Sequence, residues 1–203
     1  MKNVKLLTAV LLLLASAGHR AQADLIFQVG PVGGLTVMQG DTGVLVPVFV
    51  RTTDGAKFDA ATLPFDISLP VGNGLPAGIS FAASTNAAAG LSISSDASPP
   101  NAVFPWDRKI AISSGSPISL SSDPLAPTKL FDLVLNFAPN AAIGAYDISI
   151  VQGLNERTAT SMGGNGVNSF SSMGSLAVVP EPTSGALLGL LLTAGLIQRR
   201  RQT

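Results

Sequence analysis

Leu130-Phe131-Asp132-Leu133-Val134-Leu135-Asn136-Phe137, followed through Pro139-Asn140 by Tyr146-Asp147-Ile148-Ser149-Ile150, is the stretch that decides the fold. Successive side chains of an extended chain point to opposite faces, so Phe131, Leu133, Leu135 and Phe137 share one side, with Asp132 and Asn136 on the other. Tyr146, Ile148 and Ile150 repeat the pattern against Asp147 and Ser149. The loop from Ala138 to Gly144 carries Pro and Asn, the residues that favour a turn between two strands. Two half-buried strands joined by a loop predict a sheet with one face turned to a core.

Working outward, Phe65-Asp66-Ile67-Ser68-Leu69 alternates in the same way. Further strands are predicted at 25–29, 34–38, 44–50, 79–82, 109–113 and 175–178. Pro47 lacks an amide proton, which marks the 44–50 segment as an edge or bulged strand. No long stretch has helical periodicity; 82–89 would form a short helical turn at most. Residues 161–174, with Gly163-Gly164-Asn165-Gly166, read as a flexible loop. A Gly-rich loop cradles phosphate where it leads into a helix N-terminus, and neither a helix nor a following Lys-Ser or Lys-Thr is evident. Many short strands punctuated by Gly, Pro and Asn predict an all-β fold, a single antiparallel β-sandwich over residues 24–178.

The 203 residues suit one domain, and the net charge of zero hides an uneven distribution. Lys2, Lys5 and Arg20 lie at one end and Arg199, Arg200 and Arg201 at the other. Between Asp24 and Val178 six bases face eleven acids, a net charge of −5. Without a basic stripe, nucleic-acid binding is disfavoured. There is no cysteine, which excludes disulfides and thiolate chemistry. The one histidine, His19, lies in the N-terminal segment.

That segment has a basic start, an apolar run from Leu6 to Ala17, and small residues ending in Ala21-Gln22-Ala23. This is the pattern of a secretory signal peptide cut after Ala23 by signal peptidase, making 1–23 a targeting segment. An uncleaved anchor is the alternative. At the other end, Pro180-Glu181-Pro182 precedes an uncharged run from Thr183 to Ile197, then Arg199-Arg200-Arg201. Fifteen helical residues span about 22 Å, against a hydrocarbon core of about 30 Å. Such a short transmembrane helix needs local thinning of the bilayer and arginine snorkelling. The arginines would stay cytoplasmic and the body outside.

Residues 179–203 resemble the PEP-CTERM sorting domain of Gram-negative bacteria. The resemblance rests on Pro180-Glu181-Pro182, the apolar run and the terminal arginines. It implies recognition of the triplet by exosortase, a membrane-embedded transpeptidase-like enzyme, and delivery to the cell surface or extracellular polysaccharide matrix. Pro180, Glu181 and Pro182 would then be recognition residues of a substrate. A plain single-pass anchor, leaving a periplasmic domain tethered to the inner membrane, is the alternative; a GPI-type signal fits the arginines and the triplet badly. The body is similar in parts to the cohesin-type sandwich. Gln39-Gly40-Asp41 before the 44–50 strand, 65–69, and 130–137 leading through Gly144-Ala145-Tyr146 carry the similarity. It implies a cohesin-like or Ig-like fold and carries over no binding residues.

Nucleophilic catalysis commonly pairs Ser or Cys with His, and the body has neither Cys nor His. A Ser–Lys pair with Lys109 or Lys129 has no supporting spacing. Asp66, Asp132 and Asp147 fall on polar strand faces, where solvation explains them; Asp96, Asp107 and Asp123 stand apart in loops. No catalytic residue, resident metal or cofactor is expected. Calcium is the metal the acids would suit best, although no Asp-x-Asp-x-Asp loop occurs. Trp106, between Pro105 and Asp107, is a candidate sugar contact, against the commoner reading of a packed indole. The sequence therefore predicts an exported, non-enzymatic surface or matrix protein. Its alternative is a polysaccharide- or protein-binding module held at the membrane.

Overall fold

A computed structural model describes residues 24–53, 55, 57–68, 75–98, 106–151, 158–161 and 168–182. The signal cleavage residues Ala21 and Ala23, Gly163–Gly166, the apolar run from Thr183 and the Arg199–Arg201 cluster lie outside the described residues. Twelve strands are described: β1 Asp24–Val29, β2 Leu35–Met38, β3 Val44–Thr52, β4 Lys57–Ser68, β5 Ile79–Thr85, β6 Leu91–Ala97, β7 Arg108–Ser119, β8 Thr128–Phe137, β9 Gly144–Ile150, β10 Thr158–Ser161, β11 Asn168–Ser172 and β12 Gly174–Val179. They form a five-stranded sheet, β11-β1-β3-β8-β5, and a second sheet, β2-β12-β9-β4-β7-β6, in which β10 also pairs with β4. The result is an all-β sandwich.

Alternation in sequence becomes burial in the sandwich. Phe27, Val46, Val48, Phe131, Leu133 and Leu135 face the core from the first sheet. Leu63, Phe65, Ile67, Ile110, Tyr146 and Ile148 meet them from the second, all essentially without solvent contact. Phe65 and Phe131 join the two layers edge to face, with ring centroids 6.2 Å apart. Each such side chain contributes about 1.5–3 kcal/mol of apolar burial. The Tyr146 hydroxyl donates to the Ala142 carbonyl at 2.6 Å, satisfying the one polar atom that this inward ring brings into the core.

Both ends of the sandwich chain change sheets. β1 pairs with β3 in the first sheet, while β2, reached through residues 30–34, lies in the second. β11 runs parallel to β1 in the first sheet, and β12 runs parallel to β2 in the second. The expected antiparallel pairing thus holds through most of the sandwich and gives way to parallel ladders where the first and last strands meet. The crossing is tight: a Cβ on Gly174 would lie 2.5 Å from the Val29 carbonyl oxygen.

The crossing also explains Pro47. β3 is an interior strand, not an edge, but β1 pairs only with its 48–52 half. The Gly30 amide donates to the Pro47 carbonyl at 2.8 Å as the chain leaves the sheet. On that side, then, no ladder asks Pro47 for a proton. The bulge anticipated for this strand falls one step on, between Val48 and Phe49. Two other expectations are corrected. Residues up to Thr85 continue β5 as a strand where a helical turn was the most expected, and 168–172 form β11 within what read as a loop. β6 and β10 are strands that the sequence did not announce.

Gly174→Ala is expected to destabilise the protein by about 1–3 kcal/mol in urea denaturation, because the methyl meets backbone that cannot move aside. Gly115→Ala, with nothing within 4 Å of the added carbon, is the control and is expected to be near neutral. Equal effects would refute the crossing as the constraint.

Candidate functional site

The last strand delivers the Pro-Glu-Pro segment. β12 ends at Val179, whose carbonyl accepts the Gln39 amide at 3.0 Å. The β2–β3 turn is tied to the β8–β9 loop, with the Gln39 side-chain amide donating to the Ala141 carbonyl at 2.6 Å. Asp41 closes the turn by accepting the Met38 amide at 2.8 Å. Pro180, Glu181 and Pro182 then emerge exposed. Glu181 rests over Gly40, where a Cβ would lie 2.6 Å from its Oε1 and φ is +87°. The positive φ favours glycine at this position. The triplet is therefore accessible and set directly against the body, with no spacer between strand and motif.

Between β4 and the start of β7, two carboxylates separated by 41 positions in sequence meet. Asp107 Oδ2 accepts the Ile67 amide at 2.8 Å, and its own amide donates to the Phe65 carbonyl at 2.7 Å. The Asp66 carboxyl lies beside Ser68 and Asp107. Burial pushes both carboxyls above the ordinary aspartate value; for Asp107 the adjacent Asp66 charge adds to the rise. Asp107, through its bonds to Phe65 and Ile67, fastens β4 to the start of β7. This corrects the reading of Asp66 as merely solvated and of Asp107 as isolated.

Asp132 departs further from expectation. It is 2% exposed, and Lys129 Nζ and the Asn86 side-chain amide both donate to its Oδ2 at 2.7 Å. The outward face of β8 is covered here, so the carboxylate is held by partners instead of water. Asp96 accepts the Arg108 guanidinium and, at 2.7 Å, the Ser84 amide of the opposite sheet. Burial pushes its carboxyl up, but these partners outweigh that and hold it below the ordinary value. Asp123 accepts the Leu125 amide at 2.8 Å and shapes a turn. Among the described residues, no group of three His, Cys, Asp or Glu side chains is placed to hold a metal ion.

Trp106 is 6% exposed, with Lys109 Nζ lying 5.6 Å from the ring centroid. So little open ring leaves no platform on which to stack a sugar, and the candidate contact is not carried further. The surface feature that the sequence did not suggest lies on the outer side of the first sheet. A groove of about 360 Å3 runs over Gln28 and Phe49, between Val32 and Leu125. Both flanking side chains are 92% exposed. With Pro31, Pro124 and Pro127 these side chains give the groove an apolar rim.

No family model matches the chain, and no curated protein sequence matches it. Solved structures do resemble it. The cohesin module of a Clostridium perfringens family 33 glycoside hydrolase aligns with a TM-score of 0.52 and 10% identity, covering 79% of this chain and 98% of that one. A type I cohesin–dockerin complex of Clostridium thermocellum gives 0.50 at 9% identity, covering 79% and 95%. The seventh ScaB type I cohesin of Pseudobacteroides cellulosolvens gives 0.50 at 12%, covering 77% and 93%. At such identities the likeness defines the fold class, a cohesin-like β-sandwich, and nothing finer.

A carboxyl whose value is raised by folding binds its proton more tightly in the folded state. Folding is therefore favoured as pH falls through the raised value and disfavoured above it. Asp66→Asn is expected to gain stability over the parent at pH 7.5, with the gain fading as pH falls. Asp96→Asn has the opposite form: its cost is full above the ordinary aspartate value and is lost as pH falls through the lowered one. Urea titrations across pH 3–8 check both, and pH-independent differences would contradict the assignments.

Proposed function

We propose that this chain is an exported, non-enzymatic protein-binding module, handed to the cell surface or extracellular matrix through its C-terminal Pro-Glu-Pro tail. Signal peptidase and exosortase are its processing enzymes. The observation that carries the reading is the exposed Pro180-Glu181-Pro182 triplet leaving the last described strand of the sandwich, directly ahead of the uncharged run and arginine cluster. A recognition sequence has to be reachable from outside, and here it is. The non-catalytic part of the reading is supported by a body without His or Cys. Among its described carboxylates, Asp96 and Asp107 tie strands together, Asp132 is held by Lys129 and Asn86, and Asp41 and Asp123 shape turns. A protein partner is favoured because solved neighbours of the same fold include a cohesin bound to a dockerin. The groove between Val32 and Leu125 is the surface best suited to receive one.

Two experiments separate the parts. A Pro180→Ala/Glu181→Ala variant is expected to remain in the inner membrane while the parent reaches the cell surface. A parent retained beside it would favour a simple tether. Val32→Asp/Leu125→Asp is expected to abolish cross-linking to the surface partner without changing the unfolding midpoint. Undiminished cross-linking would exclude the groove.

A further inference from the structure

Four of the large exposed apolar side chains gather at the end of the sandwich from which the tail leaves. Met38 ends β2 and pairs with Val179, the last residue of β12. Ile143 directly precedes β9, whose first residue Gly144 pairs with Val178. Leu75 opens the segment that the Ala142 amide joins at the Ala77 carbonyl, 3.1 Å away. Leu45 stands just behind, near the start of β3. Their exposures are 43%, 57%, 37% and 47% respectively. Among the described residues no strand covers them, and the loops next to Met38 and Ile143 are cross-tied by the bonds of Gln39 and Asp41, so they form one fixed tip.

What lies next to this tip is set by chain length. Val179 is pinned by Gln39, and only Pro180, Glu181 and Pro182 separate it from the uncharged run that begins at Thr183. Four extended steps reach at most about 14 Å. While the run is inserted in a bilayer, Val179 lies within that distance of the hydrocarbon boundary, close enough for the tip to reach a headgroup layer about 5–8 Å deep. We infer that the tail end of the sandwich is a lipid-contacting face, seated in the headgroup region through Met38, Leu75 and Ile143. This rests on the tail being membrane-inserted. Apolar side chains at that depth exchange water for the acyl boundary, as those of interfacial segments do. Asp41 and Glu181 border the tip, so the contact is apolar and needs no anionic lipid.

The absence of cysteine makes the test clean. Full-length protein carrying Ile143→Cys or Leu125→Cys is labelled with an environment-sensitive nitrobenzoxadiazole and reconstituted into phosphatidylcholine vesicles containing a spin-labelled quencher lipid. Leu125 lies toward the opposite end, in the loop where Ser121 accepts the Thr52 amide. Flotation with the vesicles reports anchoring, and urea midpoints confirm folding of each labelled variant. Expected are flotation of both, a blue shift and lipid quenching at position 143, and neither change at 125. Flotation with both probes water-like and unquenched would overturn the lipid face while leaving the anchored tail intact. Failure to float would overturn the inserted tail and the lipid face together. Quenching at 143 that disappears in high salt would overturn the apolar contact in favour of an electrostatic one.

Discussion

Two backbone segments pass between the sheets side by side, and Gly174 closes on the Val29 carbonyl where they cross. The parallel ladders of β1 with β11 and of β2 with β12 both depend on this crossing. So does the tolerance of Pro47 inside an interior strand. The first two and the last two strands of the sandwich are therefore partners, one pair in each sheet, across most of the length of the body. Pairings of that kind form slowly, because a long loop must close before any contact stabilises it. They also put the beginning of the tail in a fixed position, since the strand that completes the second sheet is the one that leads into Pro180.

The polar chemistry of the body serves the same end. Asp96 bridges the sheets between Arg108 and Ser84, Asp132 is held by Lys129 and Asn86, and Asp107 joins β4 to β7. A buried carboxylate is tolerated only when it is paired or hydrogen-bonded, and each of these is. The acidity of the body thus goes partly into holding strands together. What remains for recognition is shape and apolar surface: the groove flanked by Val32 and Leu125, and the tip around the tail.

Alternation made the central strands readable. β8, β9 and the end of β4 show it because each turns one face to the core. β6 has Leu91 and Ile93 in alternation, but its serines look like linker, and a bulge after Ile93 breaks the period. β11 takes its conformation from pairing with β1, which local pattern cannot reveal. The meeting of Asp66 with Asp107 depends on the β4–β7 register and has no local signature. Asp132 sits at a position that alternation assigns to water, and only the covering of that face by neighbouring segments reverses it. For the tail, the motif was legible in sequence. Its seating against Gly40, and the apolar end beside it, arise from loops that converge only in three dimensions.

Intact mass and terminal peptide mapping of the native protein from fractionated cells test the export and sorting of this sandwich most directly. The expected species begins at Asp24, lacks residues 183–203 and is found outside the inner membrane. A species retaining Met1, or one ending in Arg201-Gln202-Thr203 and confined to the inner membrane, would contradict it.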